Sequence, residues 1–241
     1  MKTKIFLMIT SLIMLSFFSC MKYSGLNDQS SIDLADDDAV SFSVFDDVFS
    51  TADYAAYIVD QMGKSVDTKS GTVVADSCPV ITVTKPTSEA WPKIVTVDYG
   101  TNCVGLNDNI RSGKILIEIT GPRPQAGSKR TVTFDNYYFN GIKVEGTKIF
   151  ENVGYNSNQN LLIKNKLIDG KLTLPNGKFI ERSFTYQREW TAGFLTKNIF
   201  DDECLITGSA TGKNINGIAY SNTIISALQW KRACSFIVSG V

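Results

Sequence analysis

Apolar positions along the chain change period once, and that change divides the molecule. Between Val40 and Met62 the residues Val44, Val48, Ala55, Ile58, Val59 and Met62, joined by Phe45 and Phe49, recur every three or four positions. That spacing gives one apolar stripe on a helix. Asp36, Asp37 and Asp38 stand where negative charge favours a helix N-terminus, and Gly63 offers a stop. The aromatic rings of this stripe read as core packing, so the helix should lie against a sheet. From Thr72 onward the period becomes two. Ile115, Ile117 and Ile119 alternate with Lys114, Leu116, Glu118 and Thr120; Val95, Val97 and Tyr99 do the same, as do Ile142 and Val144 against Lys143 and Glu145. Each run describes a strand with one buried face. Asn140-Gly141, Asn176-Gly177 and Asn216-Gly217 lie between apolar runs, and Asn-Gly is the strongest short hairpin signal because a type I′ turn needs positive φ twice. Asp169-Gly170 reads as a fourth turn. About ten strands in hairpin succession predict a mainly β fold: an antiparallel, hairpin-rich sheet, as a sandwich or open barrel, with one N-terminal amphipathic helix. No fixed repeat argues for a solenoid or propeller.

Ahead of the helix the pattern is that of an export signal. Lys2 and Lys4 precede an apolar run from Ile5 to Phe18. Fourteen helical residues rise about 21 Å, short of the roughly 30 Å hydrocarbon core, whereas a secretory signal needs only a basic start and a short apolar stretch. Leu15-Ser16-Phe17-Phe18-Ser19-Cys20 then places a small residue directly before a cysteine. The arrangement resembles the lipobox of bacterial lipoproteins, in a loose form frequent in Bacteroidetes-like proteins. The resemblance implies cleavage before Cys20 and acylation of its thiol, including palmitate-type chains. Two or three chains anchor a protein firmly where one does so only marginally. Residues 1–19 then form the signal and 20–38 the lipidated cysteine with a flexible tether. Residues 39–241 form a single β-rich domain. Its last strand-like run, Cys234 to Val241, either closes the fold or leaves an edge that a further hairpin would cover.

Composition removes several functions. The chain has 241 residues, 24 basic against 24 acidic side chains, and no histidine. Charge balance speaks against a nucleic-acid partner. Without histidine there is no Ser-His-Asp or Cys-His catalysis and no usual zinc site. Setting Cys20 aside leaves Cys78, Cys103, Cys204 and Cys234, an even number that should pair outside the cytoplasm. Three connectivities are open; Cys78–Cys103 and Cys204–Cys234 are favoured because each brackets a compact segment.

Candidate chemistry is thin. Asp201-Asp202-Glu203 and the pair Asp98 and Asp108 could serve glycoside hydrolysis, although acids in a presumed turn are usually solvated. Asn102, Asn107, Asp108 and Asn109 supply oxygen ligands but lack the spacing of an EF-hand, so no metal site is assigned. Trp91, Trp190 and Trp230, with Tyr137, Tyr138, Tyr155 and Tyr186, could stack on sugar rings or fill the core. A lipid carrier would need a large unfilled interior. The lipobox, the Ile94-Val95-Thr96-Val97-Asp98-Tyr99-Gly100 run into Cys103, and the Gly113-Lys114-Ile115 and Asn140-Gly141 segments together resemble uncharacterised Bacteroidetes lipoproteins. That resemblance implies an outer-membrane location and a β-rich domain, with no catalytic residue and no cofactor. The expected role is therefore structural or partner-binding, with the membrane reached through Cys20 and an envelope protein or a glycan as partner. Glycan binding through Trp190, Trp91 and Trp230 is the alternative, ahead of a carboxylate hydrolase.

Overall fold

The computed structural model describes residues 29–62, 71–73, 78–85, 90–105, 108–194, 196, 199–234 and 236–240. Helix α1, Gln29–Met62, is a 34-residue run free of glycine and proline. Its residues Val44, Phe45, Val48, Phe49, Ala52, Ala55, Ala56 and Val59 are all buried, at the three- and four-residue spacing expected of a core-facing stripe. The helix starts well before Val40, so residues 29–38 of the expected tether are helical. Asp36 to Asp38 are thus inside the helix, and Asp37 and Asp38 engage partners rather than cap. Asp37 accepts a hydrogen bond from the Ile215 amide at 2.8 Å, and Asp38 pairs with Arg182.

Among the described residues thirteen strands follow in one sheet. They are β1 Gly71–Val73, β2 Val80–Thr84, β3 Lys93–Asp98, β4 Cys103–Val104, β5 Ile110–Ile119, β6 Lys129–Phe139, β7 Ile142–Tyr155 and β8 Leu161–Thr173. The rest are β9 Phe179–Ala192, β10 Glu203–Lys213, β11 Ala219–Thr223, β12 Leu228–Lys231 and β13 Phe236–Ser239. The path runs β1-β2-β3-β5-β6-β7-β8-β9-β10-β12-β13, with β4 on β5 and β11 on β10. Every pairing is antiparallel. Among the described residues the fold is mainly β with one α-helix, as the periodicity predicts. The sheet stays open among the described residues, and no second sheet packs on it as a sandwich would require.

Period two holds where it was read. Ile115, Ile117 and Ile119 are buried, as are Val95 and Val97. The turns differ in detail. Asn140 and Gly141, at φ 50° and 78°, make the expected type I′ link between β6 and β7. At Asn176-Gly177 and Asn216-Gly217 only the glycine has positive φ. There the residue ahead of the turn bonds across a wider loop, Leu174 to Lys178 and Asn214 to Ile218. Asp169-Gly170 is no turn. It is a bulge inside β8, where the register against β9 shifts between Leu167 and Gly170. A Cβ on Gly170 would meet the Arg182 carbonyl at 2.7 Å, so β9 approaches too closely for a side chain.

The sheet must curl around α1. Adjacent helix residues Asp46 and Asp47 reach Arg188 on β9 and Arg111 on β5. Four strand steps separate those strands, about 19 Å across a flat sheet. Ser50 and Thr51 likewise reach Arg232, beyond β12, and Tyr99, beyond β3. Only a curved sheet brings both flanks to one helix. Its inner face and α1 form the core, leaving Val40, Tyr54, Tyr57 and Gln61 on the open stripe of the helix.

Candidate functional site

The inner face carries charge as well as hydrocarbon. Helix α1 contains eight aspartates and no basic residue. The sheet answers with cations on inward positions. Along β9 the inward set is Arg182, Phe184, Tyr186, Arg188 and Trp190, all buried, because side chains two apart share a face. On β6 and β7 the same alternation turns Arg130 and Lys148 inward. Asp53 is held by Arg130 Nη1 at 2.6 Å and by Arg123 Nε at 3.0 Å. Burial would raise its carboxyl, but the two guanidinium groups outweigh that and hold it below the usual aspartate value. Arg111 donates to both oxygens of Asp47, its Nε at 3.0 Å, and Tyr137 donates to the same carboxylate at 3.4 Å. Burial, then the Asp47 charge, drives the Tyr137 phenol strongly upward, so it stays protonated.

Next to this seam, α1 and strands β7, β8 and β9 enclose a crevice. Register places Phe150 opposite Asn165, Asn165 opposite Tyr186, and Leu167 between Lys148 and Phe184. The crevice is lined by Phe42, Phe45, Asp46, Lys148, Asn165, Arg182, Phe184, Tyr186 and Arg188, around a cavity of about 10 Å³, room for roughly one water. Lys148 is 1% exposed. Its ammonium donates to the Phe45 carbonyl and lies 5.1 Å from the Phe150 ring centre and 5.7 Å from those of Phe45 and Phe184. Burial, reinforced by Arg188 and opposed by Asp46 and Asp47, holds its pKa well below the usual lysine value. Arg188 donates through Nη2 to Asp46 at 2.5 Å, and Arg182 through Nη2 to the Tyr186 hydroxyl at 2.7 Å. Among the described residues, Arg188 Nε and Nη1, Arg182 Nε and Asn165 Oδ1 have no oxygen or nitrogen partner, and the Arg188 side chain bonds the Cys204 thiol beside it.

The residues singled out in the sequence fall elsewhere. Cys20 lies outside the described residues. Cys78 and Cys103 form the expected disulfide, with Cα atoms 5.6 Å apart. The second expected bridge is not made: Cys204 is a free, buried thiol. Its cross-strand partners on β9 and β12 are Trp190 and Trp230, and Cys234 lies past the end of β12 in the 3₁₀ turn Arg232–Cys234. Burial pushes the Cys204 thiol up to about 12, only partly opposed by Arg188 beside it. Trp190 and Trp230 are 4% and 1% exposed. They are core residues that offer no sugar-stacking platform, Trp190 packing on Phe49 at 5.7 Å between ring centres. Trp91 is half-buried, with the Lys93 ammonium 4.6 Å from its ring centre. Tyr137 and Tyr186 are buried as well.

Of the acidic run, Asp202 is buried rather than solvated. Burial raises its carboxyl to about 6, with Arg232 opposing and Asp53 adding to the rise. Asp201 accepts from the Thr196 hydroxyl at 2.8 Å. Asp98 is tied to Lys114 and the Gly100 amide, a structural turn contact. Asn109 spends its side-chain oxygen on Asn140 at 2.9 Å, and Asn107 lies outside the described residues. The cationic crevice was missed altogether. Its signal was present: Arg182 and Arg188 share the parity of Phe184, Tyr186 and Trp190, opposite a helix that is acidic and free of basic residues.

No family model, curated protein or solved structure matches the chain.

Proposed function

We propose that this chain is a cell-envelope protein, anchored at the outer membrane by acyl chains on Cys20, whose β-domain works by binding a partner rather than by catalysis. The observation that carries the reading is the lipobox-like run Leu15-Ser16-Phe17-Phe18-Ser19-Cys20 after a basic start and an apolar stretch. Support also comes from how the domain uses its acids. Asp46, Asp47 and Asp53 are each engaged by arginine, which leaves them poor candidates for proton transfer. With Trp190 and Trp230 in the core, the partner is sought among proteins or small molecules rather than among extended glycans.

The test is fractionation with metabolic labelling by an alkyne-bearing palmitate analogue. Wild-type protein should partition with outer membranes and incorporate the label. Cys20→Ala should lose both. A Cys20→Ala protein that stays membrane-bound and labelled contradicts the anchoring.

A further inference from the structure

We propose that the open edge of β11 is a self-association surface, on which a second copy of this chain lays its own β11 antiparallel. Topology is the first argument. Among the described residues β11 pairs only with β10, so its other edge stands open. Two bonds flank the β10–β11 ladder and fix its phase: the Asn214 amide donates to the Ile218 carbonyl, and the Ile224 amide to the Gly208 carbonyl. In an antiparallel pair alternate residues bond to the neighbouring strand. The register therefore turns Tyr220 and Asn222 toward β10 and leaves the amides and carbonyls of Ala219, Ser221 and Thr223 on the open edge.

Composition is the second argument. Open edges are ordinarily blunted by a lysine, a proline or a bulge. Here the chain from Asn214 to Trp230 runs seventeen residues without a charge or a proline, although 20% of all residues are charged. The β10–β11 register has no bulge either. At the two ends of β11 stand Ile218 and Ile225, 61% and 84% exposed, the two most exposed large apolar side chains among the described residues. One exposed apolar side chain is ordinary. Two that bracket an unguarded edge outline an interface.

Symmetry selects the occupant. Two identical strands paired antiparallel are related by a two-fold axis, so the patch must fit itself. The three open residues are centred on Ser221 and meet that condition. Ser221 faces Ser221 of the second copy, and Ala219 faces the second copy's Thr223, giving about six backbone hydrogen bonds with no like charges opposed. The same register sets Ile218 against Ile224 of the second copy, next to its Ile225, so each copy covers the other's exposed isoleucines. The inference is independent of how the chain is anchored: a monomer would leave the reading of Cys20 standing, and a failure of anchoring would leave this edge as it is.

Sedimentation equilibrium of the full chain in a neutrally buoyant detergent tests it. Wild type should dimerise with a dissociation constant on the order of 10 µM, because so short a pairing lies at the weak end of interfaces. Ser221→Lys and Ser221→Glu each oppose like charges across the two-fold axis and should weaken the dimer by roughly tenfold or more. Mixed in equal amounts the two variants should recover it, because lysine then faces glutamate. Wild type that stays monomeric far above the expected constant overturns the proposal. A dimer indifferent to both substitutions overturns β11 as its site, and weakening without recovery in the mixture overturns the pairing of Ser221 with itself. Amide exchange of the wild type decides without any variant. Raising the protein concentration should slow Ala219, Ser221 and Thr223, while Tyr220 and Asn222, bonded to β10, stay slow throughout. Exchange at Ser221 that ignores concentration overturns the edge pairing.

Discussion

The two faces of the sheet solve the same problem, opposite charges in reach of each other, with different residues. Facing α1, the described ion pairs are all Arg–Asp: Arg111–Asp47, Arg123–Asp53, Arg130–Asp53, Arg182–Asp38 and Arg188–Asp46. Away from it they are all lysine pairs: Lys114–Asp98, Lys129–Glu151, Lys143–Glu145, Lys213–Glu181 and Lys231–Glu203. The inner pairs bind helix to sheet. Four of the outer five join residues directly opposite on neighbouring strands. Guanidinium is weakly hydrated and presents a rigid donor fork, so it is the cation that survives burial; ammonium is strongly hydrated and favours the rim. Aspartate, on its short stem, loses less rotamer freedom when fixed than glutamate does. Lys148 breaks the pattern, a lysine among arginines, and it marks the crevice.

Breaking an inner pair should produce the largest effect. Asp53→Leu strands Arg123 and Arg130 in the interior, and removing one side of a buried pair costs about 3–5 kcal/mol. Urea unfolding at pH 7 should show that loss. The sign with pH follows from the lowered carboxyl: the contribution is present above the unfolded aspartate value, near pH 4, and disappears as pH falls through the folded value. The gap between wild type and variant should therefore narrow in acid. A gap that is small at pH 7 or constant to pH 2 would remove the inner pairs from the stability of the fold.

Why part of this was legible and part not is visible in single residues. Ile115, Ile117 and Ile119 announce a buried face by alternation alone, and Val44, Val48 and Val59 announce a helix stripe; both are local periods. Asp46, Asp47 and Asp53 lie on that same helix and would ordinarily read as its wet side. Their partners stand 142, 64 and 70 or more residues away, beyond any window in which a period is seen. The start of α1 was missed for the same reason, since Asp37 and Asp38 find their partners in the loop between β10 and β11 and on β9. Asp169-Gly170 misled because a bulge and a hairpin ask for the same positive φ. Cys204 misled because an even count gives the number of possible bridges and not their distance.

Asp202 tests the inner face at intermediate size. Here burial and neighbouring Asp53 win over Arg232 and the carboxyl titrates near 6, above the usual aspartate value. The folded state therefore prefers this group protonated. Its contribution is favourable below the unfolded value, near pH 4, and is lost as pH rises through about 6. Asp202→Asn should raise stability at pH 7 by about 1–2 kcal/mol, a range kept low because the variant also gives up the attraction of Arg232. It should also flatten the decline between pH 4 and pH 7. A destabilised variant would mean that Asp202 is a needed partner of Arg232 rather than a strained neighbour of Asp53.

The outer face should give the smallest response and so fixes the scale of the comparison. Lys213 and Glu181 lie directly opposite on β10 and β9, 3.1 Å apart, with side chains 56% and 41% exposed. Such a pair gains little because water screens it and two long side chains must be ordered. A double-mutant cycle, Lys213→Ala with Glu181→Ala, should return a coupling of about 0.5 kcal/mol or less, vanishing in 1 M salt where the Debye length is about 3 Å. The same cycle on Arg188 and Asp46 should give a larger coupling that salt barely moves, because neither group is open to counterions. Equal couplings with equal salt dependence would show that burial does not separate the two faces. The choice of arginine inside and lysine outside would then need another cause.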